Sequence, residues 1–138
     1  MSEKIDTVIN NFIVKNDFKE EQLADMISQI NGFCVITGEG YVKIEKDSLS
    51  TKDKIFLILG ARYLGNAYQK LKLIDLTIKD IVTSAEVSDM LKVDTMVINA
   101  RLNDLKKEGK IKSIERGSYI VDSYELKKYL QSKEKVNN

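Results

Sequence analysis

The stretch that decides the fold runs from Thr83 to Ile111, "TSAEVSDMLKVDTMVINARLNDLKKEGKI". It opens with Thr-Ser-Ala-Glu, the Thr-x-x-Glu form of a capping box, in which side chains pair with the free amide groups of a first helical turn. A short polar turn follows, then an amphipathic segment over 95–108. Gly109 suits a helix end, because glycine tolerates the left-handed backbone found there. The stretch therefore predicts two helices joined by a tight turn, with a strand starting at Ile111.

The second of these helices, 95–108, carries one apolar stripe. Its members recur at spacings of four and three residues, which places them on one side of a helix. They are Ile98, Leu102 and Leu105. With that stripe inward, the opposite side presents Met96, Ala100, Asn103 and Lys107, flanked by Val97, Asn99 and Asp104.

A hairpin and a last helix are predicted downstream. Segment 111–115 is predicted to be a strand, Arg116-Gly117 makes a tight turn, and segment 118–121 returns as a second strand. Asp122-Ser-Tyr-Glu125 is a further cap, and it opens a helix that we expect to reach about residue 134. That helix either pairs two subunits or packs back on the apolar segment 55–59.

Upstream lies the most apolar segment of the chain, a predicted helix over about 52–72 capped by Ser50. Apolar residues occur all around its first turns, which predicts burial from more than one side. Small residues on this helix would permit a close helix neighbour, either the N-terminal subdomain or a second copy of the chain, and we favour a neighbour in the same chain. These residues are Gly60, Ala61, Gly65 and Ala67.

The first 48 residues predict a helix–helix–hairpin subdomain. A helical stripe, a second helix and two strand-like segments around Gly38-Glu39-Gly40 follow one another. The stripe consists of Ile5, Val8, Ile9 and Phe12. The chain is thus expected to be α+β, with a subdomain at 1–48, a central domain at 49–122 and a C-terminal helix and tail at 123–138.

The composition narrows the classes of function. The chain has 138 residues, no histidine and one cysteine, Cys34. It therefore forms no internal disulfide, no thiolate or imidazole metal site within one chain, and no nucleophile activated by histidine. We expect a protein without enzymatic activity, catalytic residues, a metal site or a cofactor.

Charge is unevenly distributed. Residues 1–50 carry five lysines against nine acids, a net charge of −4, whereas residues 51–138 carry seventeen Lys and Arg against twelve acids, a net charge of +5. A mildly basic half is compatible with a polyanionic partner. The amino terminus lacks the basic start and plain apolar stretch of a secretion signal, and no apolar run is long enough for a membrane span. We expect a cytoplasmic protein with no membrane association.

Residues 52–122 resemble a winged helix-turn-helix DNA-binding domain of the type found in archaeal and bacterial transcriptional regulators. The resemblance rests on the quoted stretch, whose apolar positions would hold the two helices together and lead into the wing. These positions are Val87, Leu91, Ile98, Leu102, Leu105 and Ile111, with Gly109 before the wing. The lysine-rich, proline-free composition suggests an archaeal protein of this class.

The resemblance implies a function. Helix 95–108 would enter the major groove of double-stranded DNA, and a short wing with Arg116 at its tip would reach the backbone. Asparagine can pair with adenine through two hydrogen bonds, and lysine can bind phosphate. The implied DNA-binding residues are Thr95, Met96, Asn99, Ala100, Asn103, Lys107 and Arg116. The expected protein is a transcriptional regulator acting as a homodimer.

A second hypothesis is a winged-helix protein-interaction module of an archaeal transcription, replication or chromatin assembly. Met96, Val97 and Ala100 are apolar, and Asp104 beside them would repel phosphate. Lysines near a helix end also occur on ordinary solvated faces, where they complement the helix dipole. Fold alone does not fix the partner.

Overall fold

A computed structural model describes residues 19–136, with side chains described up to residue 133. The helical stripe expected at residues 5–12 lies outside the described residues. The elements follow one another as α1 (Glu20–Ile30), β1 (Cys34–Ile36), β2 (Val42–Ile44), α2 (Thr51–Leu71), β3 (Val82–Thr83), α3 (Ser84–Leu91), α4 (Thr95–Lys107), β4 (Ile111–Glu115), β5 (Ser118–Val121) and α5 (Ser123–Val136).

The described chain is α+β, as expected, with five helices and two small antiparallel sheets. The first sheet is the hairpin of β1 and β2, in which Val35 lies opposite Lys43. The second has the strand order β3–β5–β4, so the two-residue strand β3 pairs with the returning strand of the second hairpin. Both predicted hairpins are confirmed.

Helix α2 is the centre of the core. The hydroxyl of Ser50 accepts the amide of Asp53 at 3.1 Å, which confirms the predicted cap. Ten consecutive residues, 55–64, are buried, because α1, α4, α5 and both hairpins pack around this helix. Although α2 has 21 residues, no helix within 19–136 is both long and apolar enough to cross a membrane.

Helix α5 packs back on α2. A Cβ placed on Gly60 would lie 2.6 Å from Cδ1 of Leu126, so only glycine allows the two helices to approach this closely. The Tyr129 ring meets the Phe56 ring edge-on at 5.3 Å between centroids. The close neighbour expected at Gly60 is thus an element of the same chain. Gly65 instead faces Ile78, in the segment after α2.

A buried arginine joins segments of the chain that are far apart in the sequence. Arg62 of α2 is 4% exposed, and its guanidinium donates to the carbonyl oxygens of Lys79 (2.6 Å), Gly40 (3.2 Å) and Ile81 (3.2 Å). It also lies 3.6 Å from a carboxylate oxygen of Glu86. One side chain therefore links the turn of the first hairpin, the segment leading into β3, and the first turn of α3.

Candidate nucleic-acid interface

The pair α3 and α4 forms as the sequence predicts. The Thr83 hydroxyl accepts the Glu86 amide at 3.1 Å, and the Glu86 carboxylate accepts the Thr83 amide at 3.0 Å, so the capping box is complete. Lys92 ends α3 with a left-handed backbone, φ 57°. The carboxylate of Asp94 then accepts the amide of Met96 at 2.8 Å and caps α4.

The inward stripe of α4 is confirmed. Ile98, Leu102 and Leu105 are each at most 1% exposed, and α4 packs on α2 through this side. Lys52 at the start of α2 and Glu108 at the end of α4 form an ion pair of 2.9 Å. This hydrogen bond raises the pKa of Lys52 and lowers the pKa of Glu108. The contacts fix which side of α4 faces away from the protein.

The outward face of α4 is solvent-exposed. All seven residues of the implied DNA-binding set are exposed: Thr95, Met96, Asn99, Ala100, Asn103, Lys107 and Arg116. Within the described part of the chain, the side chains of Asn99, Asn103 and Lys107 have no hydrogen-bond or ion-pair partner, whereas the Thr95 hydroxyl is 3.4 Å from that of Ser88. Six of the seven residues lie on α4. Of these, Asn99, Asn103 and Lys107 keep their side-chain N–H donors free to bind a partner.

The hairpin of β4 and β5 holds the seventh residue. Arg116 lies in its turn next to Gly117, whose φ of +80° requires a residue tolerant of the left-handed region. The carbonyl of Gly117 accepts the Ser84 amide at 3.0 Å, and Thr83 pairs with Ser118 in the sheet. The hairpin tip is therefore fastened to the start of α3, and Arg116 has a defined position relative to α4.

Arg101 is a cation near this face that the sequence reasoning left out. Its Nε lies 3.1 Å from a carboxylate oxygen of Asp104, one helical turn further on. The spacing of three residues between opposite charges was visible in the sequence. Because the two side chains pair, Asp104 presents less unbalanced negative charge to a phosphate than its sequence position alone implied.

Further lysines extend the positive charge. Lys106 is exposed at the end of α4 and Lys112 is exposed on β4. Lys110 is engaged with the protein itself, because its Nζ lies 3.6 Å from Glu108 and 5.9 Å from the centroid of the Phe56 ring. The cations available to a partner thus come from the last turn of α4 and from the hairpin.

The same helix also exposes apolar surface. Met96 is 80% exposed and Val97 is 45% exposed, both in the first turn of α4. Their side chains cannot hydrogen-bond to base edges, although they can contact the methyl group of thymine. The face is amide-rich and cationic toward the carboxyl end of α4 and apolar toward its amino end.

No protein-family model, curated protein or solved structure matches the chain.

Proposed function

We propose that the chain is a DNA-binding transcriptional regulator that acts as a homodimer, reading the major groove with α4 and contacting the backbone with the β4–β5 hairpin. Residues 52–122 would form the winged helix-turn-helix that the sequence resembles. The order helix, strand, helix, helix, hairpin supports this proposal. So does the strand order β3–β5–β4, which places the hairpin beside the two helices.

The observation that carries the proposal is the separation of the two sides of α4. The apolar stripe is buried against α2, while Asn103 and Lys107 point away from the protein with no partner among residues 19–136. Amide and ammonium groups of this kind match base edges and phosphates. An arginine at a hairpin tip tied to α3 adds a second point of contact beyond the helix.

The experiment is selection of binding sites from randomised double-stranded DNA at low salt, followed by gel retardation of the selected duplex. Substituting Asn103 and Lys107 by alanine should abolish retardation and leave the melting temperature nearly unchanged, since both side chains are exposed and unpaired. The control replaces Lys128 and Gln131 by alanine on the exposed side of α5 and should retard DNA like the wild type. A wild-type chain that retards no DNA at low salt contradicts the proposal.

The exposure of Met96 and Val97 favours a second candidate, a protein-interaction module that uses the same helix. Exposed apolar side chains in one helical turn are typical of protein contacts. Under this alternative, Met96→Asn would weaken partner capture while the alanine substitutions at Asn103 and Lys107 would not. The gel retardation experiment separates the two, because only the DNA proposal requires the amide and ammonium groups.

A further inference from the structure

A second exposed surface, separate in composition from the outward face of α4, lies around the end of α2. Six large apolar side chains are exposed there, with exposed fractions of 39–92%. They are Val35, Tyr68, Leu71, Leu73, Ile74 and Leu76, which we term the apolar face. The six exposed fractions together equal about three whole side chains. With about 150–250 Å² for a large side chain, roughly 450–750 Å² of surface is in contact with water.

Three residues of the apolar face, Val35, Tyr68 and Leu76, line an open groove of about 510 Å³. Ile27 of α1 and Tyr68 of α2 form part of its walls, and the buried side chains of Leu64 and Ile78 line it further in. A smaller groove of about 390 Å³ continues past Ile27 and Tyr68 toward the start of α1. The two grooves are therefore connected by shared side chains and form one apolar depression.

Leu73 is an exposed side chain in the turn after α2, between Leu71, which lines the smaller groove, and Leu76, which lines the larger one. It is 92% exposed and has φ 54°, a left-handed backbone that is unfavourable for leucine. The turn is held by the Leu73 amide, which donates to the Lys70 carbonyl at 3.4 Å, and by the Ile74 amide, which donates to the Gln69 carbonyl at 3.0 Å. Glycine is the usual residue at such a helix end. A leucine there costs stability and gains nothing within residues 19–136.

We infer that the apolar face is the interface of the homodimer, in which Leu73 of each protomer inserts into the groove of the other. A twofold interface needs a projection and a complementary depression on the same surface, because each protomer supplies both. The exposed apolar area approaches the ~800 Å² per partner of a standard stable interface once the polar rim is added. The exposed area of the apolar face also reaches the upper end of the range for the largest apolar patch on a typical monomer, which is ~300–600 Å².

This inference rests on the homodimer part of the proposed function and not on DNA binding. The groove lies between α1, β1, α2 and the segment after α2, whereas the candidate nucleic-acid interface lies on α4 and the second hairpin. A dimer formed through the apolar face would leave the outward face of α4 open in both protomers. Failure of DNA binding and failure of dimerisation are thus separate results.

The test is light scattering on the full chain after size-exclusion chromatography, without DNA, between about 1 and 100 µM. The wild type should have twice the 15.7 kDa mass of one chain. Leu73→Asn should weaken dimerisation at least tenfold without lowering the melting temperature, because asparagine accepts the left-handed backbone. Tyr68→Glu, placed between the two grooves, should have the same effect on the mass.

The matched control is Ile114→Asn, which removes another exposed apolar side chain, 52% exposed, on β4. It should remain a dimer. The double substitution of Asn103 and Lys107 by alanine should also remain a dimer while losing DNA. A monomeric wild type at the highest concentration overturns the inference, as does a Leu73→Asn chain that dimerises like the wild type. Loss of the dimer in the Ile114→Asn chain instead would place the interface elsewhere and also overturn it.

Discussion

Two parts of this protein have the same order of elements but carry surfaces of opposite charge. The amino-terminal unit (residues 20–44) is a helix followed by a hairpin, and so is the carboxy-terminal unit (residues 95–121). Both pack on α2. The outer side of α1 carries Glu20, Glu21 and Asp25, and its hairpin turn carries Glu39. The carboxy-terminal unit has Asn103, Lys106 and Lys107 on its helix and Arg116 in its turn.

The difference shows that packing and surface chemistry are set independently. The inner sides of both units are apolar, because each has to exclude water from α2. The outer sides differ in charge, since nothing in the core constrains them. The amino-terminal unit also borders the apolar groove, which the carboxy-terminal unit lacks within the described residues. Similar units would therefore serve different partners.

The largest expected effect comes from Arg62, which ties the hairpin turn of the amino-terminal unit to the segment before β3 and to α3. Arg62→Met would leave the carbonyls of Gly40 and Ile81 without their donor and remove the link to Glu86. We expect a loss of about 3–5 kcal/mol in the free energy of unfolding, measured by urea denaturation, because three hydrogen bonds from a charged donor, each contributing ~1.5–3 kcal/mol, are lost and water replaces them only in part. Arg101→Met, which removes an exposed ion pair with Asp104, is the control and should cost less than about 1 kcal/mol. Similar losses in the two variants would show that the buried guanidinium does not stabilise the fold through these contacts.

A smaller effect, confined to the amino-terminal unit, concerns Cys34. Its thiol is buried in β1, 3.9 Å from the carbonyl oxygen of Ile30, and burial, reinforced by the charge of Glu45, raises its pKa from 9.0 to about 12. The unfolded thiol ionises near pH 9 while the folded one keeps its proton. Folding is therefore favoured by this group below pH 9, and the contribution is lost as the pH rises toward 12.

The check compares the wild type with Cys34→Ala at about pH 8 and about pH 10.5 in urea denaturation. The wild type should be more stable at the lower pH, and the gap between the two proteins should narrow by about 1–2 kcal/mol at the higher pH. The ionisation of Tyr129 is common to both proteins and cancels. A gap that stays constant or widens would contradict the burial of a protonated thiol.

The smallest expected effect is a change in DNA affinity and in its salt dependence, and it should differ between variants of the two hairpin turns. Arg116→Gln should weaken binding to the selected DNA and reduce the slope of log affinity against log salt by about 1 for each protomer, because one phosphate contact is lost. Glu39→Gln removes a charge of opposite sign at the equivalent turn and should leave the slope unchanged. Equal changes in the two variants would mean that net charge, and not the position of Arg116, governs binding.

Periodicity and caps allowed most of the described fold to be predicted. Ser50, Thr83 and Asp122 each accept the amides they were expected to cap, since these contacts are local in sequence. The inward stripe of α4 followed from spacing alone. The division at residues 48–49 stays a prediction, although buried side chains from both sides of it belong to one cluster.

Long-range features could not be predicted. Arg62 lies in the middle of an apolar run, and its three carbonyl partners are 17 to 22 residues away, so no local pattern indicates them. The groove depends on how α1, β1 and α2 pack against one another. The sequence around Leu73 does not indicate its left-handed backbone or its exposure to solvent. The outward residues of α4 were located by the same spacing, whereas their partner stays a proposal.

The position of α2 in the middle of the chain also sets the order in which the elements can pack while the chain is being synthesised. Residues 20–44 emerge from the ribosome before the helix that covers them, and the buried segment of α2 ends twenty residues after β2, at Leu64. At ~5–20 residues per second, the amino-terminal unit waits only about 1–4 seconds for its partner. The later elements then meet a helix that is already made. Had this central helix been placed at the carboxyl end of the chain, both units would have waited for it, and the first one much longer.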